Sequence, residues 1–132
     1  MSRSSAREGV RRPTVLIADD DDDMRAAVAD LLREERQLDV VEAADGAEAL
    51  EIALTTRLDA IVLDQRMPRL TGVEVVGLLR ARSVRVPIIL VTAARDVREL
   101  AADLGLRCYL AKPFSADEIV EQLTKALEGE CD

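Results

Sequence analysis

The chain has 132 residues, a net charge of −8 and 48% hydrophobic residues, which is enough apolar material for the core of one domain. Histidine is absent, which excludes His-based catalytic triads, His-ligated zinc and a role as phosphohistidine donor. The acidic charge argues against nonspecific binding to nucleic acid, because that binding relies on Lys and Arg. No apolar run approaches the ~18 residues that cross a bilayer, so we expect no membrane-spanning segment.

The two ends of the chain are predicted to be tails. Residues 1–12, MSRSSAREGVRR, lack the apolar stretch of a signal peptide and predict a flexible tail. Residues 13–129 are expected to form the folded domain, and residues 130–132 a short C-terminal tail. Two cysteines, Cys108 and Cys131, indicate no disulfide framework and fit a reducing cytoplasm.

Short apolar runs alternate with segments of helical periodicity between these tails. The runs predict five strands buried on both faces, at residues 15–18, 40–43, 60–63, 88–91 and 108–111. Apolar residues three and four apart predict the helices, as in the stripe from Met24 to Leu32. Capping-box spacings predict three helix starts, at Thr71 with Glu74, Asp96 with Glu99, and Ser115 with Glu118. Five strand–helix repeats predict an α/β fold, a parallel sheet with helices on both faces.

Charged and polar residues follow the predicted strands. Asp19 and Asp20 follow the first strand, Asp64 the third, Thr92 the fourth and Lys112 the fifth; ligands bind at this edge of a parallel sheet. Carboxylates without His or Cys indicate an oxygen-only site for a hard cation such as Mg²⁺. Lys112, one of two lysines in an Arg-rich chain, is suited to bind a phosphoryl oxygen. Taken singly, Asp64 also fits a turn, Thr92 a strand end and Lys112 a solvated loop.

The aspartate run continues beyond the site. Asp22 and Asp23 suit the start of a helix, where negative side chains cap the first turn and complement the dipole. Asp21 is expected to face solvent without a further role.

Four motifs, VLIADDDDDMR, DAIVLDQRMPRLTG, PIILVTA and YLAKPF, resemble the receiver domain of two-component response regulators. They follow the family's order, and the resemblance covers about residues 14–128. It implies a flavodoxin-like doubly wound (βα)5 fold with strand order 2-1-3-4-5. It also implies a signalling switch and not an enzyme: a sensor histidine kinase or a histidine phosphotransfer protein would phosphorylate an aspartate with Mg²⁺, and the changed surface would act on a downstream protein.

The resemblance assigns the phosphoacceptor and the metal ligands. Asp64 would accept the phosphoryl group. Mg²⁺ would be bound by Asp20, Asp64 and the backbone carbonyl of Arg66, and through a water by Asp19. These roles agree with general chemistry, since Mg²⁺ aligns a weak carboxylate nucleophile with phosphorus and neutralises the surrounding oxygens.

The resemblance also assigns the groups that complete the switch. Lys112 would pair with Asp64 and then with a phosphoryl oxygen, and the bond from Lys112 to Pro113 would be cis. Thr92 would hydrogen-bond the phosphoryl group, and Tyr109 would turn inward on activation.

Some positions depart from the family pattern. The segment from Thr92 to Gly105 is about two residues shorter than usual, so we expect an altered loop or helix after strand four. Arg66 and Ala94 occupy variable positions that tune the phosphoryl lifetime in this family.

Partners and assembly follow from the same resemblance. We expect a cytoplasmic protein that is a monomer or a weak phosphorylation-dependent dimer, without direct contact to nucleic acid or membrane. It would be either a stand-alone receiver or a part of a longer regulator.

Other classes fit the motifs less well. A haloacid-dehalogenase-like phosphatase needs Thr or Val four residues after its nucleophile, where this chain has Asp23 or Met24. An EF-hand calcium loop would need Gly at Met24 and a preceding helix. An unphosphorylated interaction module on the same fold stays open as the alternative.

Overall fold

Strands and helices alternate through the part of the chain that the computed structural model describes, residues 12–131 without the side chains of Glu35 and Ala94. The strands are β1 (Thr14–Ala18), β2 (Asp39–Ala43), β3 (Ala60–Asp64), β4 (Ile88–Ala93) and β5 (Cys108–Lys112). The helices are α1 (Asp22–Glu35), α2 (Gly46–Thr55), α3 (Gly72–Ala81), α4 (Ala94–Asp103) and α5 (Ala116–Leu127). Most of the predicted N-terminal tail lies outside the described residues.

All five strands pair in parallel in the order β2-β1-β3-β4-β5. This order confirms the flavodoxin-like (βα)5 fold. Among the described residues, no helix is long and apolar enough to cross a bilayer.

The sheet separates the core into two layers, because successive side chains of a strand point to opposite faces. Val15 and Ile17 of β1 pack with α1 and α5 on one face. Leu16 and Ala18 pack on the other face, in the cluster that includes residues of α2, α3 and α4. Every residue of β3 is buried, as expected of the central strand in a sheet covered on both sides.

The register brings four chain segments to one edge of the sheet. Ala18 pairs with Leu63, the residue before Asp64, and Asp64 pairs with Val91. Further along, Thr92 pairs with Ala111. The strand ends that sequence reasoning selected therefore lie side by side.

Two of the three predicted capping boxes are present. The side chains of Thr71 and Ser115 each accept a hydrogen bond from the backbone N–H three residues on. In return, the side chains of Glu74 and Glu118 accept a hydrogen bond from the backbone N–H of the cap residue. The start predicted at Asp96 is wrong, because α4 begins at Ala94, directly after the last residue of β4. No residue separates β4 from α4, so the shortened segment has no connecting loop.

The expectation that the chain has no disulfide is also wrong. Cys108 and Cys131 are bonded, with their Cα atoms 5.2 Å apart. Gly129, at φ +81°, ends α5 in a left-handed turn, and the N–H of Glu130 donates to the carbonyl of Lys125 at 2.8 Å. This turn directs the chain back to the start of β5, where the sequence predicted only a tail.

Candidate functional site

Three carboxylates meet at the carboxyl edge of the sheet. Oxygen atoms of Asp19, Asp20 and Asp64 all lie within 4.8 Å of one another. Asp19 and Asp64 are 7% and 4% exposed, whereas Asp20 is open to solvent. Two buried acids beside one accessible acid form a site that a cation can enter from solvent.

Lys112 lies against the two buried acids. Its Nζ is 3.0 Å from Oδ2 of Asp64 and 3.3 Å from Oδ2 of Asp19. The peptide bond from Lys112 to Pro113 is cis, as the family resemblance implied. The ammonium group thus joins the ends of β1, β3 and β5, although they are far apart in sequence.

Opposing effects act on the charge of Asp64. Burial is the largest effect and raises the pKa of this carboxyl group, whereas the hydrogen bond and charge of Lys112 and the N–H of Arg66 lower it; the net shift is upward. The charge of Asp19 raises the pKa further. For Lys112, burial alone would lower the pKa, but the hydrogen bonds and charges of Asp64 and Asp19 outweigh burial and raise it. Three carboxylates and one ammonium leave an excess of negative charge that favours a bound cation.

Thr92 and Arg66 border the same site. Thr92 is 4% exposed and, with Asp20 and Arg66, lines a cavity of about 860 Å³ that extends along α4. The backbone N–H of Arg66 donates to Oδ1 of Asp64 at 3.4 Å. Arg66 therefore contacts Asp64 directly, whereas Thr92 borders the adjoining cavity.

Tyr109 lies on β5, three residues before Lys112. It pairs with Leu90 of β4, and its side chain is half-buried against the cluster that contains Leu106. The ring is thus neither fully exposed nor fully buried.

Asp21 has a structural role that the sequence did not predict. Its side chain accepts hydrogen bonds from the backbone N–H groups of Asp23 and Met24, both at 3.1 Å, so it is the N-cap of α1. It is exposed, as expected, but the expectation that it has no further role is wrong. Asp22 and Asp23 lie in the first turn, where their charge complements the dipole.

Arg25 is a half-buried residue beside the site that sequence reasoning missed. Its Nη1 donates to the backbone carbonyl of Asp19 at 2.7 Å, and its Nη2 to Asp22 at 2.7 Å. Its Nε donates to Glu42 of β2 at 3.1 Å, and the side chain is 14% exposed. A cation in the first turn of a helix opposes the helix dipole, and this was the available sequence signal.

Comparisons with known proteins agree with this arrangement. The family model of the response regulator receiver domain matches residues 15–124. The transcriptional regulatory protein PrrA of Mycobacterium leprae is 46% identical over 121 residues, which cover 90% of this chain and 51% of PrrA. The chain spans about half the length of the curated relatives it matches.

Solved structures show the same similarity. The receiver domain of the sensor histidine kinase PA1611 of Pseudomonas aeruginosa, with magnesium coordinated in its active site cleft, is 32% identical with a TM-score of 0.80; the match covers 89% of this chain and 99% of that one. The response regulator TrrA of Thermotoga maritima, in complex with Mg²⁺–BeF, is 29% identical with a TM-score of 0.77, over 87% and 99% of the two chains. Since the family model spans most of the sequence and the strand order agrees, the chain belongs to the response regulator receiver domain family.

Proposed function

We propose that the domain is a phosphorylation-activated switch in which Asp64 accepts a phosphoryl group. The observation that carries this proposal is the position of Asp64 at the end of the central strand, within reach of Lys112 and two further carboxylates. A buried carboxylate whose charge is poorly compensated gains from contact with a cation and an electrophilic phosphorus.

The acid cluster fits Mg²⁺. All its donors are oxygen atoms, and hard cations that retain waters prefer a few carboxylates to a full protein cage. We assign Asp20, Asp64 and the backbone carbonyl of Arg66 as direct ligands, and Asp19 as a ligand through water. Mg²⁺ bound there would neutralise the phosphoryl oxygens and hold them in line with the attacking carboxylate.

The chain's own groups then have separate tasks in the transfer. An oxygen of Asp64 forms the bond to phosphorus while the bond from phosphorus to the donor's nitrogen breaks. Lys112, already 3.0 Å from that carboxylate, exchanges part of this ion pair for a phosphoryl oxygen. Thr92 donates its hydroxyl hydrogen to another oxygen of the group.

The response to phosphorylation would pass through Thr92 and Tyr109. Movement of the Thr92 hydroxyl toward the phosphoryl group changes the packing between β4 and β5, which pair at Thr92–Ala111 and Leu90–Tyr109. The half-buried Tyr109 ring can then turn inward. Phosphorylation shifts the equilibrium between the two positions of the Thr92 hydroxyl because the phosphoryl group interacts more favourably with one of them.

The partners of such a switch are proteins. The phosphoryl donor would be a sensor histidine kinase or a histidine phosphotransfer protein, and the reader a downstream protein in the cytoplasm. We propose no direct contact of this domain with nucleic acid or membrane, although relatives such as PrrA are named as transcriptional regulatory proteins. Its assembly would be monomeric or weakly dimeric on phosphorylation.

The direct test is labelling with a small acyl-phosphate donor and Mg²⁺. Intact-mass measurement should show one added phosphoryl group on the parent and none on Asp64→Asn. Asp117→Asn, which changes an exposed aspartate in the first turn of α5, is the matched control and should be labelled like the parent. Absence of labelling on the parent would instead support an unphosphorylated interaction module, and equal labelling of Asp64→Asn would move the acceptor to another residue.

A further inference from the structure

We propose that Cys108 and Cys131 are a redox modification site, a reversible disulfide that fastens the segment after α5 to the start of β5. This goes beyond phosphorylation, because it gives the domain a second covalent input. The Cα separation of 5.2 Å lies within the range that a disulfide requires without backbone movement.

The surroundings of the pair suit a disulfide and offer an acceptor to a thiol at Cys131. Both side chains are 1% exposed and belong to the same core cluster as Leu123 and Ala126, so the disulfide has close apolar packing. The sulfur of Cys131 also lies 3.9 Å from the backbone carbonyl oxygen of Gln122, which can accept the hydrogen of a thiol. In the reduced form, the Cys131 thiol would therefore have a hydrogen-bond acceptor within reach.

Cys131 lies beside a cavity and at the end of an exposed segment. Cys131 borders a cavity of about 280 Å³ whose lining includes Gly105, Arg80 and Arg85. Residues 128–130, which lead to Cys131, are exposed and outside any helix or strand. Displacement of this exposed segment would admit a small reagent to Cys131, and the thiolate is the form that reacts with disulfides.

The oxidant is a low-molecular-weight disulfide, and the reaction is thiol–disulfide exchange. The Cys131 thiolate attacks one sulfur of the small disulfide, whose S–S bond breaks to release one thiolate. Cys108 then attacks the Cys131 sulfur of the mixed disulfide and releases the second. The two protons lost by the cysteines pass to the released thiolates, so two electrons move from the protein to the small disulfide.

The position of the bond makes it a separate input. Cys108 is the first residue of β5 and Lys112 the last, so the disulfide and the carboxylate site lie at opposite ends of one strand. Oxidation closes a loop with a sequence separation of 23 residues that contains β5 and all of α5. A bond of this kind in a protein that we assign to the cytoplasm suits a transient, redox-sensing role better than permanent stabilisation.

The test is equilibration of the full chain in buffers of defined ratio of small disulfide to thiol. The parent should lose two hydrogen atoms by intact mass as a monomer, and two alkylatable thiols should vanish together. Oxidation should raise the midpoint of thermal unfolding by about 10 °C, while Cys131→Ala should be insensitive to the redox buffer.

Three results would overturn the proposal: no intramolecular bond at any ratio, only mixed or intermolecular disulfides, or a bond that excess dithiothreitol leaves intact in the folded protein. The mass and alkylation measurements use the unmodified chain, so they decide even if a cysteine variant does not fold. Asp64→Asn should titrate like the parent, which separates this proposal from the phosphorylation proposal.

Discussion

The guanidinium group of Arg25 holds the backbone carbonyl of Asp19 at 2.7 Å, and thereby ties the first turn of α1 to the end of β1. The same side chain reaches Glu42 of β2. Burial opposes the charge of Arg25, but hydrogen bonds with Asp22 and Glu42 outweigh it and raise its pKa. Arg25 is thus a positioning residue for the acid cluster, since it contacts the main chain of one acid and none of the three carboxylates.

Replacement of Arg25 should therefore weaken Mg²⁺ binding, although Arg25 is not itself a ligand of the metal. Arg25→Ala should lower Mg²⁺ affinity about tenfold, since residues that orient ligands have effects of this size. The matched control is Arg33→Ala, which also pairs with Glu42, at 3.4 Å, but makes no bond to Asp19. A calorimetric titration in which both variants lose equal affinity would assign the effect to Glu42 and not to Asp19.

Substitutions of the adjacent residues Asp20 and Asp21 should affect two different quantities, metal affinity and stability. Asp20→Ala should lower Mg²⁺ affinity by at least about tenfold and leave stability nearly unchanged. Asp21→Ala should retain Mg²⁺ affinity but lower the free energy of unfolding by about 1 kcal/mol, because it removes the N-cap of α1. Metal titration and urea unfolding of both variants measure these two quantities. A loss of metal affinity in Asp21→Ala equal to that in Asp20→Ala would contradict the assignment.

The Asp64 carboxylate should destabilise the metal-free fold. Burial raises the pKa of Asp64 above its ordinary value of 3.8, so the folded state binds its proton more tightly than the unfolded state. The contribution to stability is present below pH 3.8 and is lost as the pH rises through the raised pKa. In chelator, Asp64→Asn should thus be more stable than the parent at neutral pH, and the difference should shrink in acid.

Urea unfolding at several pH values measures this difference. Mg²⁺ should reverse its sign, because bound metal at 100 times its dissociation constant adds about 2.7 kcal/mol to the parent. Asp117→Asn, at an exposed position, is the control for a general effect of charge removal. A pH-independent gain in Asp64→Asn would show that burial of its charge is not the cause.

The Thr92 hydroxyl should couple the site to Tyr109. Tyr109 is the only tyrosine and the chain has no tryptophan, so its fluorescence reports on β5 without interference. Beryllofluoride with Mg²⁺ should change this signal in the parent and in Thr92→Ser, which keeps a hydroxyl, but not in Thr92→Ala. Binding to each variant is measured separately by calorimetry. An equal fluorescence response of Thr92→Ala would show that the change reaches Tyr109 by another route.

The sequence predicted the sheet well because its signals are local or periodic. Each predicted strand overlaps the observed one, with ends that differ by at most two residues. The parallel arrangement then brought Asp19, Asp20, Asp64, Thr92 and Lys112 to one edge, as a consequence of topology alone. Their functional roles stay predictions, since geometry shows proximity and not phosphorylation.

The features that sequence reasoning missed depend on tertiary contacts or on competing local patterns. Asp96 lies within the first turn of α4, where an acidic residue complements the helix dipole without being the cap, so its spacing to Glu99 did not mark the start of the helix. The bond between Cys108 and Cys131 depends on the turn at Gly129, which a count of cysteines does not reveal. Arg25 owes its role to the carbonyl of Asp19, just after β1, and to Glu42 of β2, and the sequence of α1 does not reveal these partners.

The direct junction between β4 and α4 has a mechanical consequence for any protein that reads this domain. A receiver with a loop at this point can change the loop conformation while the helix keeps its orientation. Here Ala93, at φ −61° and ψ 147°, is the single residue between Thr92 and the first helical residue. A displacement at Thr92 is therefore absorbed by rotation at one alanine or transmitted to all ten residues of α4 as a rigid body. A partner bound to α4 would sense the tilt of a helix and not the shape of a loop.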